Sequence, residues 1–346
     1  MPKLLDPPMA APGAAATTAR ADGDAMKTRA RSVLREAGIG LALLLLVGVF
    51  SLLSPIFLTA GNITNIFTQI SINVILAVGM TFVILIGGID LSVGSVMAFC
   101  AVVAGTVMKT EGLDTGTAIA LALLASIVAG AVCGFANGAI SAWWSIPSFI
   151  VTLGMLNIAR GAALQWTQAR SIYEFPDAFN NFGSASLLGV PAIFLVALAL
   201  VAVGWFVLNR TVFGRLIYAI GNNEEAVRLA GHDVMRIKVA AFVICGAAVG
   251  VGAVIYMTRL TIASPISGIG FELNAIAAVI IGGTSLSGGR GSIVGTLLGA
   301  CIIGVLANGL ILIGMSDFLR QMVTGCVIIL AVVLDAYRAR LAGRAA

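Results

Sequence analysis

Charge is what this sequence has least of. Of its 346 residues, 10% are charged and 60% are hydrophobic, where a soluble domain carries about 25% charged residues. Histidine occurs once, as His232. No Gly-Lys pair exists, so there is no Walker A loop to cradle nucleotide phosphates. HExxH, GxSxG and Cys-x-x-Cys are missing as well, which removes the usual zinc-hydrolase, serine-hydrolase and paired-thiol constellations. The five cysteines (Cys100, Cys133, Cys245, Cys301, Cys326) lie inside apolar segments and read as small core residues. The net charge of +5 does not point to nucleic acid, because the basic residues gather at the ends of apolar runs, as membrane topology requires.

What is present is long uncharged sequence. Residues 37–89, 115–159, 178–209, 239–258 and 291–316 carry no charged side chain. A bilayer crossing takes roughly 20 apolar residues, so the longer runs hold two crossings each. The expected fold class is all-α, a polytopic membrane protein with about ten transmembrane helices. They are predicted near 38–58, 63–87, 91–108, 116–141, 147–166, 190–209, 238–258, 272–283, 291–313 and 318–337. The segment at 272–283 is short and glycine-flanked, so it is expected to be broken or only partly spanning. The 41 glycines favour close helix contact.

Residues 1–36 read as a disordered cytoplasmic tail, residues 37–338 as one transmembrane domain, and 339–346 as a second cytoplasmic tail. Lys27, Arg29, Arg31 and Arg35 precede a first run long enough to span, which predicts an uncleaved first helix and a cytoplasmic N-terminus. With ten crossings, 15 of the 20 Lys and Arg residues fall on the cytoplasmic side, both termini included.

One internal echo stands out. Ile86-Gly87-Gly88-Ile89-Asp90-Leu91-Ser92 matches Ile281-Gly282-Gly283-Thr284-Ser285-Leu286-Ser287 at five of seven positions. Transporters are often built from repeats with helix breaks at related places. Asp90 either caps the helix that follows it or takes part in gating. The other polar groups inside predicted spans are mostly amides: Gln69, Asn73, Asn137, Asn157, Asn274 and Asn308. Amides can bond helices to one another, or line a path for an uncharged hydroxylated solute without the cost of a buried carboxylate.

The main polar interruption is Arg210–Lys238, with eight charged residues and His232. Within it Asn222-Asn223-Glu224-Glu225 reads as a cap followed by acids in a first helical turn. Glu224 and Arg228 are spaced to pair, and Gly231 is placed to stop the helix. A helix of about eight residues is marginal alone in water. It is either an ordinary solvated loop helix or a docking element for a cytoplasmic partner. His232 reads as solvated.

Four stretches resemble the permease subunits of bacterial ribose-type sugar ABC importers. They are GMTFVILIGGIDLSVGSVMA (79–98), IPSFIVTLGMLNIARG (146–161), GRLIYAIGNNEEAVRLAGHDVMRIK (214–238) and FELNAIAAVIIGGTSLSGGRGSIVGTLLGA (271–300). The resemblance spans about 38–338. It implies a multi-pass inner-membrane permease that forms a homodimer and works with a cytoplasmic ABC ATPase and a periplasmic sugar-binding protein. It implies no cofactor or metal on this chain, with ATP and Mg on the ATPase. Asn222, Asn223, Glu224, Glu225, Arg228 and Gly231 would form the ATPase-coupling element. Gly87, Gly88, Asp90 and Ser92 match the family's first turn motif; Gly282, Gly283, Ser285 and Ser287 match the second. Asn73, Asn137, Asn157, Asn274 and Asn308 are the candidate path residues. The competing reading is an ion-coupled secondary transporter of a neutral polar solute. A membrane-bound enzyme is disfavoured by the missing catalytic constellations.

Overall fold

A computed structural model of the chain describes residues 36–344. The predicted N-terminal tail lies outside the described residues apart from Glu36. The architecture is helical, with one two-stranded hairpin among the described residues. Ten helices stand where the sequence predicts spans: α1 (Glu36–Leu53), α2 (Ala60–Leu85), α3 (Val93–Met108), α4 (Thr115–Trp143), α5 (Ser148–Thr167), α7 (Ala192–Arg210), α10 (Val234–Leu260), α11 (Phe271–Ile281), α12 (Ile293–Leu312) and α13 (Asp317–Arg344). Between them lie α6 (Asp177–Ser184), the hairpin β1 (Ser186–Leu187) and β2 (Val190–Pro191), α8 (Val212–Asn222) and α9 (Glu224–Leu229). α13 runs on to Arg344, past its predicted end near 337.

Seven of the ten are long and apolar enough to cross a membrane. α3 has 16 residues and α11 has 11. At 1.5 Å per residue α11 covers about 16 Å, roughly half of a hydrocarbon layer, in line with the short, broken segment expected there. α5 is long enough but is interrupted by Asn157, Arg160 and Gln165.

α2 is the central post. From Ile70 to Leu85 every residue is buried, and α7, α10, α11 and α12 all pack on it. This explains a span that is apolar all round: it meets helices on every side rather than lipid. The largest helix pair is α4 against α10. A Cβ on Gly130 would collide with the Gly246 carbonyl, and one on Gly246 with the Gly130 carbonyl. The two backbones therefore touch, which only glycine on both sides allows. Ser126 adds a hydrogen bond from Oγ to the Gly250 carbonyl at 2.8 Å.

The bundle has two distinguishable ends. At one, β2 packs on the start of α2, and Ile172 pairs with Ala263 beyond the end of α10. At the other, the C-terminal end of α2 meets α8, and α9 packs on α8 and on α10.

Replacing Gly130 by Val forces the α4–α10 backbones apart and should cost about 3 kcal/mol, the upper end for overpacking. Thermal melting of the detergent-purified chain reads this directly. Gly154→Ala on α5, where a Cβ meets nothing within 4 Å, should leave the melting temperature unchanged.

Candidate functional site

The two echoed turns are helix breaks, and they end their helices in the same way. After α2, the Gly87 amide donates to the Ile84 carbonyl (2.9 Å) and the Gly88 amide to Val83 (2.9 Å). After α11, the Gly283 amide donates to Ile280 (2.8 Å) and the Thr284 amide to Val279 (3.1 Å). Gly87 and Gly283 hold φ of +76° and +82°, the left-handed turn of a Schellman cap. The structural register thus pairs Gly87 with Gly283, one residue off the seven-residue sequence match. The second break is also longer: Ser92 stands at the N-cap of α3, but α12 is capped by Ser292, whose Oγ accepts from the Gly295 amide at 2.9 Å. Ser287, the sequence counterpart of Ser92, sits inside the turn instead. The same cap geometry recurs at Gly231 and Gly314, so it does not by itself establish duplication.

Each break is tied to its surroundings through its backbone. In the first, the Ile89 amide donates to Ser148 Oγ (2.9 Å), and the Leu91 amide donates to Thr152 Oγ1 (3.1 Å). Asp90 is buried, and its Oδ1 accepts from the Ser92 amide (2.9 Å) and the Ser92 hydroxyl (2.6 Å). Asn137 of α4 donates to Ser92 Oγ at 3.0 Å. Asp90 therefore organises the entry to α3 by an Asx-type turn, while α4 and α5 clasp the turn. In the second break, the Ser285 amide donates to the Arg290 carbonyl (2.8 Å), and the Ser285 hydroxyl and Leu286 amide both reach Asp335 Oδ2 of α13 at 3.4 Å. The breaks also bond each other: the Gly289 amide donates to the Leu85 carbonyl at 2.8 Å.

Beside them stands α9, six residues long. Asn223 is its N-cap, with Oδ1 accepting from the Ala226 amide at 3.0 Å. Asn222 is not part of this cap; it ends α8 and turns toward Gly289. Glu224 pairs with Arg228 (3.1 Å) and with Lys238 of α10 (2.6 Å), and Glu225 pairs with Arg228 (3.3 Å). Leu229 is 80% exposed at the end of this polar helix. Sequence reasoning passed over Leu229, Lys238, Ser148 and Thr152. A leucine with no apolar partner one turn away in a charged segment is the signal that could have flagged the first.

Two cavities lie toward opposite ends of the bundle. One, of about 600 Å³, sits under α9 between Gly87-Gly88, Ser141, Ser148, Glu224, Arg228 and Lys238. The other, of about 550 Å³, is lined by Gln69, Asn73, Tyr256, Arg259, Asn274 and, from α13, Arg320 and Gln321. Of the candidate path amides, Asn73 and Asn274 come together here. Asn308 does not: it forms a buried reciprocal pair with Asn62 across α2 and α12, with Nδ2-to-Oδ1 distances of 2.9 and 3.0 Å. Asn137 is engaged with Ser92, and the exposed Asn157 donates to Leu153 of its own helix at 3.0 Å. Among the described residues no group of three or more His, Cys, Asp or Glu side chains is placed to hold a metal.

A bundle of long apolar helices, with broken helices and polar cavities toward both ends, is the architecture of a multi-pass membrane protein. A family profile described as the branched-chain amino acid transport system / permease component matches residues 62–332, and the chain belongs to that permease family. It is 43% identical over 300 residues to a ribose import permease protein of Escherichia coli (strain K12), covering 85% of this chain and 92% of the relative. A ribose import permease protein of Bacillus subtilis (strain 168) is 42% identical over 306 residues, 88% and 93% of the two chains. An L-arabinose ABC transporter permease protein of Azospirillum brasilense is 35% identical over 327 residues, 94% of each. No solved structure matches the chain.

If the Asn62–Asn308 pair is a helix tie rather than part of a path, Asn308→Leu should strand Asn62 Oδ1, whose Nδ2 still donates to the Phe57 carbonyl at 2.9 Å, and cost about 1–3 kcal/mol. The double variant Asn62→Leu/Asn308→Leu should recover part of that loss. Melting temperatures of the three variants in one detergent decide the matter; equal loss in single and double variants would count against the tie.

Proposed function

We propose that the chain is the membrane-spanning subunit of an ATP-driven importer that carries a monosaccharide or cyclitol into the cytoplasm. The observation that carries this is similarity over 85–94% of the chain to permeases named for ribose and arabinose, at 35–43% identity. In this reading two copies form the pathway in a bacterial inner membrane, with both termini cytoplasmic. A periplasmic binding protein delivers the solute to the hairpin end, and a separate ATPase carries ATP and Mg and does the hydrolysis. None of the relatives named above is an ion-coupled transporter, so that alternative has no support of the same kind.

The site geometry fits these roles. α9, with Glu225, Arg228 and the bare Leu229 exposed beside Gly231, is the surface offered to the ATPase; an apolar anchor ringed by charge is the pattern of an interface centre. The second cavity supplies the solute path. Asn73 and Asn274 present donors and acceptors to hydroxyl groups without the desolvation cost of a carboxylate. The breaks at Gly87–Ser92 and Gly282–Ser287 are the gating elements between the two cavities. Along α2, Asn73 and Ile86 are about 20 Å apart.

Glu224 is spent on Lys238, so Glu225 is the cleaner probe of docking. Glu225→Arg should reduce ATPase co-purification at least tenfold and leave melting and membrane insertion unchanged. Retention of the ATPase at the parental level, with uptake intact, would remove α9 as the docking element. Independently, Asn73→Leu and Asn274→Leu should lower uptake of the preferred sugar about tenfold, measured with radiolabelled substrate, with ATPase binding preserved.

A further inference from the structure

The last turn of α8 runs between the two helix breaks at backbone distance. A Cβ on Gly221 would collide at once with the Leu85 carbonyl and the Gly289 amide. Asn222 donates through Nδ2 to the Tyr218 carbonyl (2.7 Å) and the Gly289 carbonyl (3.2 Å). The Tyr218 hydroxyl donates to the Gly291 carbonyl at 3.1 Å. Gly289 passes the connection on, since its own amide is bonded to Leu85 at the end of α2. α8 is thus bonded to the second break, and the second break to the first. Asn223 alone separates α8 from α9.

We propose that Tyr218, Gly221 and Asn222 are positioning residues that convert a displacement of α9 into a joint displacement of both helix breaks. The inference rests on the reading of α9 as the ATPase-docking helix. Besides the turn of residues 230–233 that leads straight into α10, two routes lead away from α9. One is the Glu224–Lys238 ion pair to α10, made by long, partly exposed side chains that salt screens and rotamer motion loosens. The other is the α8 junction, where the Gly221 backbone lies directly against Leu85 and Gly289, and the short Asn222 side chain and the Tyr218 hydroxyl bond the backbone of the second break. Close-packed contacts of this kind transmit strain rather than dissipate it. Because Leu85–Gly289 links the two breaks, both halves of the bundle receive the movement together. One push at α9 can then close one turn against α4 and α5 as it shifts the other against α13.

The test uses the full chain assembled in nanodiscs with its ATPase and solute-loaded binding protein. Asn222→Asp keeps the side-chain shape but removes both Nδ2 donations; Tyr218→Phe removes one hydroxyl donation; Gly221→Ala wedges the junction. Expected for Asn222→Asp is ATPase retention within twofold of the parent, continued ATP hydrolysis, and at least a tenfold fall in solute moved per ATP. Tyr218→Phe should fall less. Where Gly221→Ala fails to fold, the other two variants still decide. In the isolated chain, deuterium exchange across 283–292 should accelerate in Asn222→Asp. Unchanged transport per ATP in Asn222→Asp with the ATPase bound would overturn the coupling role while leaving the importer reading intact. A parental chain that binds no ATPase would overturn both. A transport loss that only tracks the fraction of unfolded protein would mark the junction as structural and overturn the proposal.

Discussion

A backbone amide or carbonyl within a hydrocarbon layer must find its hydrogen-bond partner inside the protein, because no water is there to take it. Most of this chain meets that demand by being helical. It then breaks its helices at two places, residues 86–92 and 282–292, and frees backbone groups that would each cost several kcal/mol if left bare. The packing around the breaks answers that cost. Ser148 and Thr152 of α5 bond the first turn, Asp335 of α13 bonds the second, and Gly289 bonds Leu85 across the two. α13 is otherwise a lightly packed helix, and α5, which packs on α3, keeps a largely exposed outer face. Their attachment to the breaks therefore makes the broken turns hubs of the bundle, although these are the least regular parts of it.

Glycine serves two opposite ends here. At Gly130 and Gly246 it lets two helices approach until their backbones touch, which favours a rigid pair. At Gly87 and Gly283 it permits the left-handed residue that ends a helix, which favours a turn able to rearrange. In the proposed importer, the tight α4–α10 pair serves as a fixed wall and the two glycine turns as a movable one. That combination is what alternating access requires of a bundle built around one central helix.

Much of this was legible in the sequence. All ten predicted apolar helices have a counterpart within a few residues, because length and hydropathy decide them. The shortness of α11 could be read from its flanking glycines. A cap within Asn222–Asn223 and the stop at Gly231 followed from local chemistry alone, although only the structure shows that Asn223 is the cap and Asn222 ends α8. What the sequence hid was tertiary. An Asn in a span reads the same whether it lines a cavity, as Asn73 does, or completes a pair, as Asn308 does with Asn62. The echo of 86–92 in 281–287 pointed to the right turns but misaligned them by one residue, since it could not register the extra length before Ser292. α8 was submerged in a polar stretch, although Thr211 caps it and Ile217 and Ile220 give it a buried face. Serine and threonine are too common for Ser148 and Thr152 to be singled out without knowing which amides lack partners.

The charges around α9 draw attention first, yet in the proposed importer they carry the lesser part in transmitting movement. Glu225 and Arg228 are exposed and pair within their own turn, and half-exposed Glu224 pairs with Arg228 and with Lys238 of α10. Such pairs are worth roughly 0–1 kcal/mol and yield to salt. They are suited to recognising a partner, where electrostatics steers and selects. Moving a helix break takes contacts that do not give way, and those lie at the end of α8, at Gly221 and Asn222, two residues and more before Glu224. Recognition and transmission thus fall on adjacent stretches of different chemistry. A charged, adaptable helix faces outward, and a glycine-tight backbone contact faces the bundle.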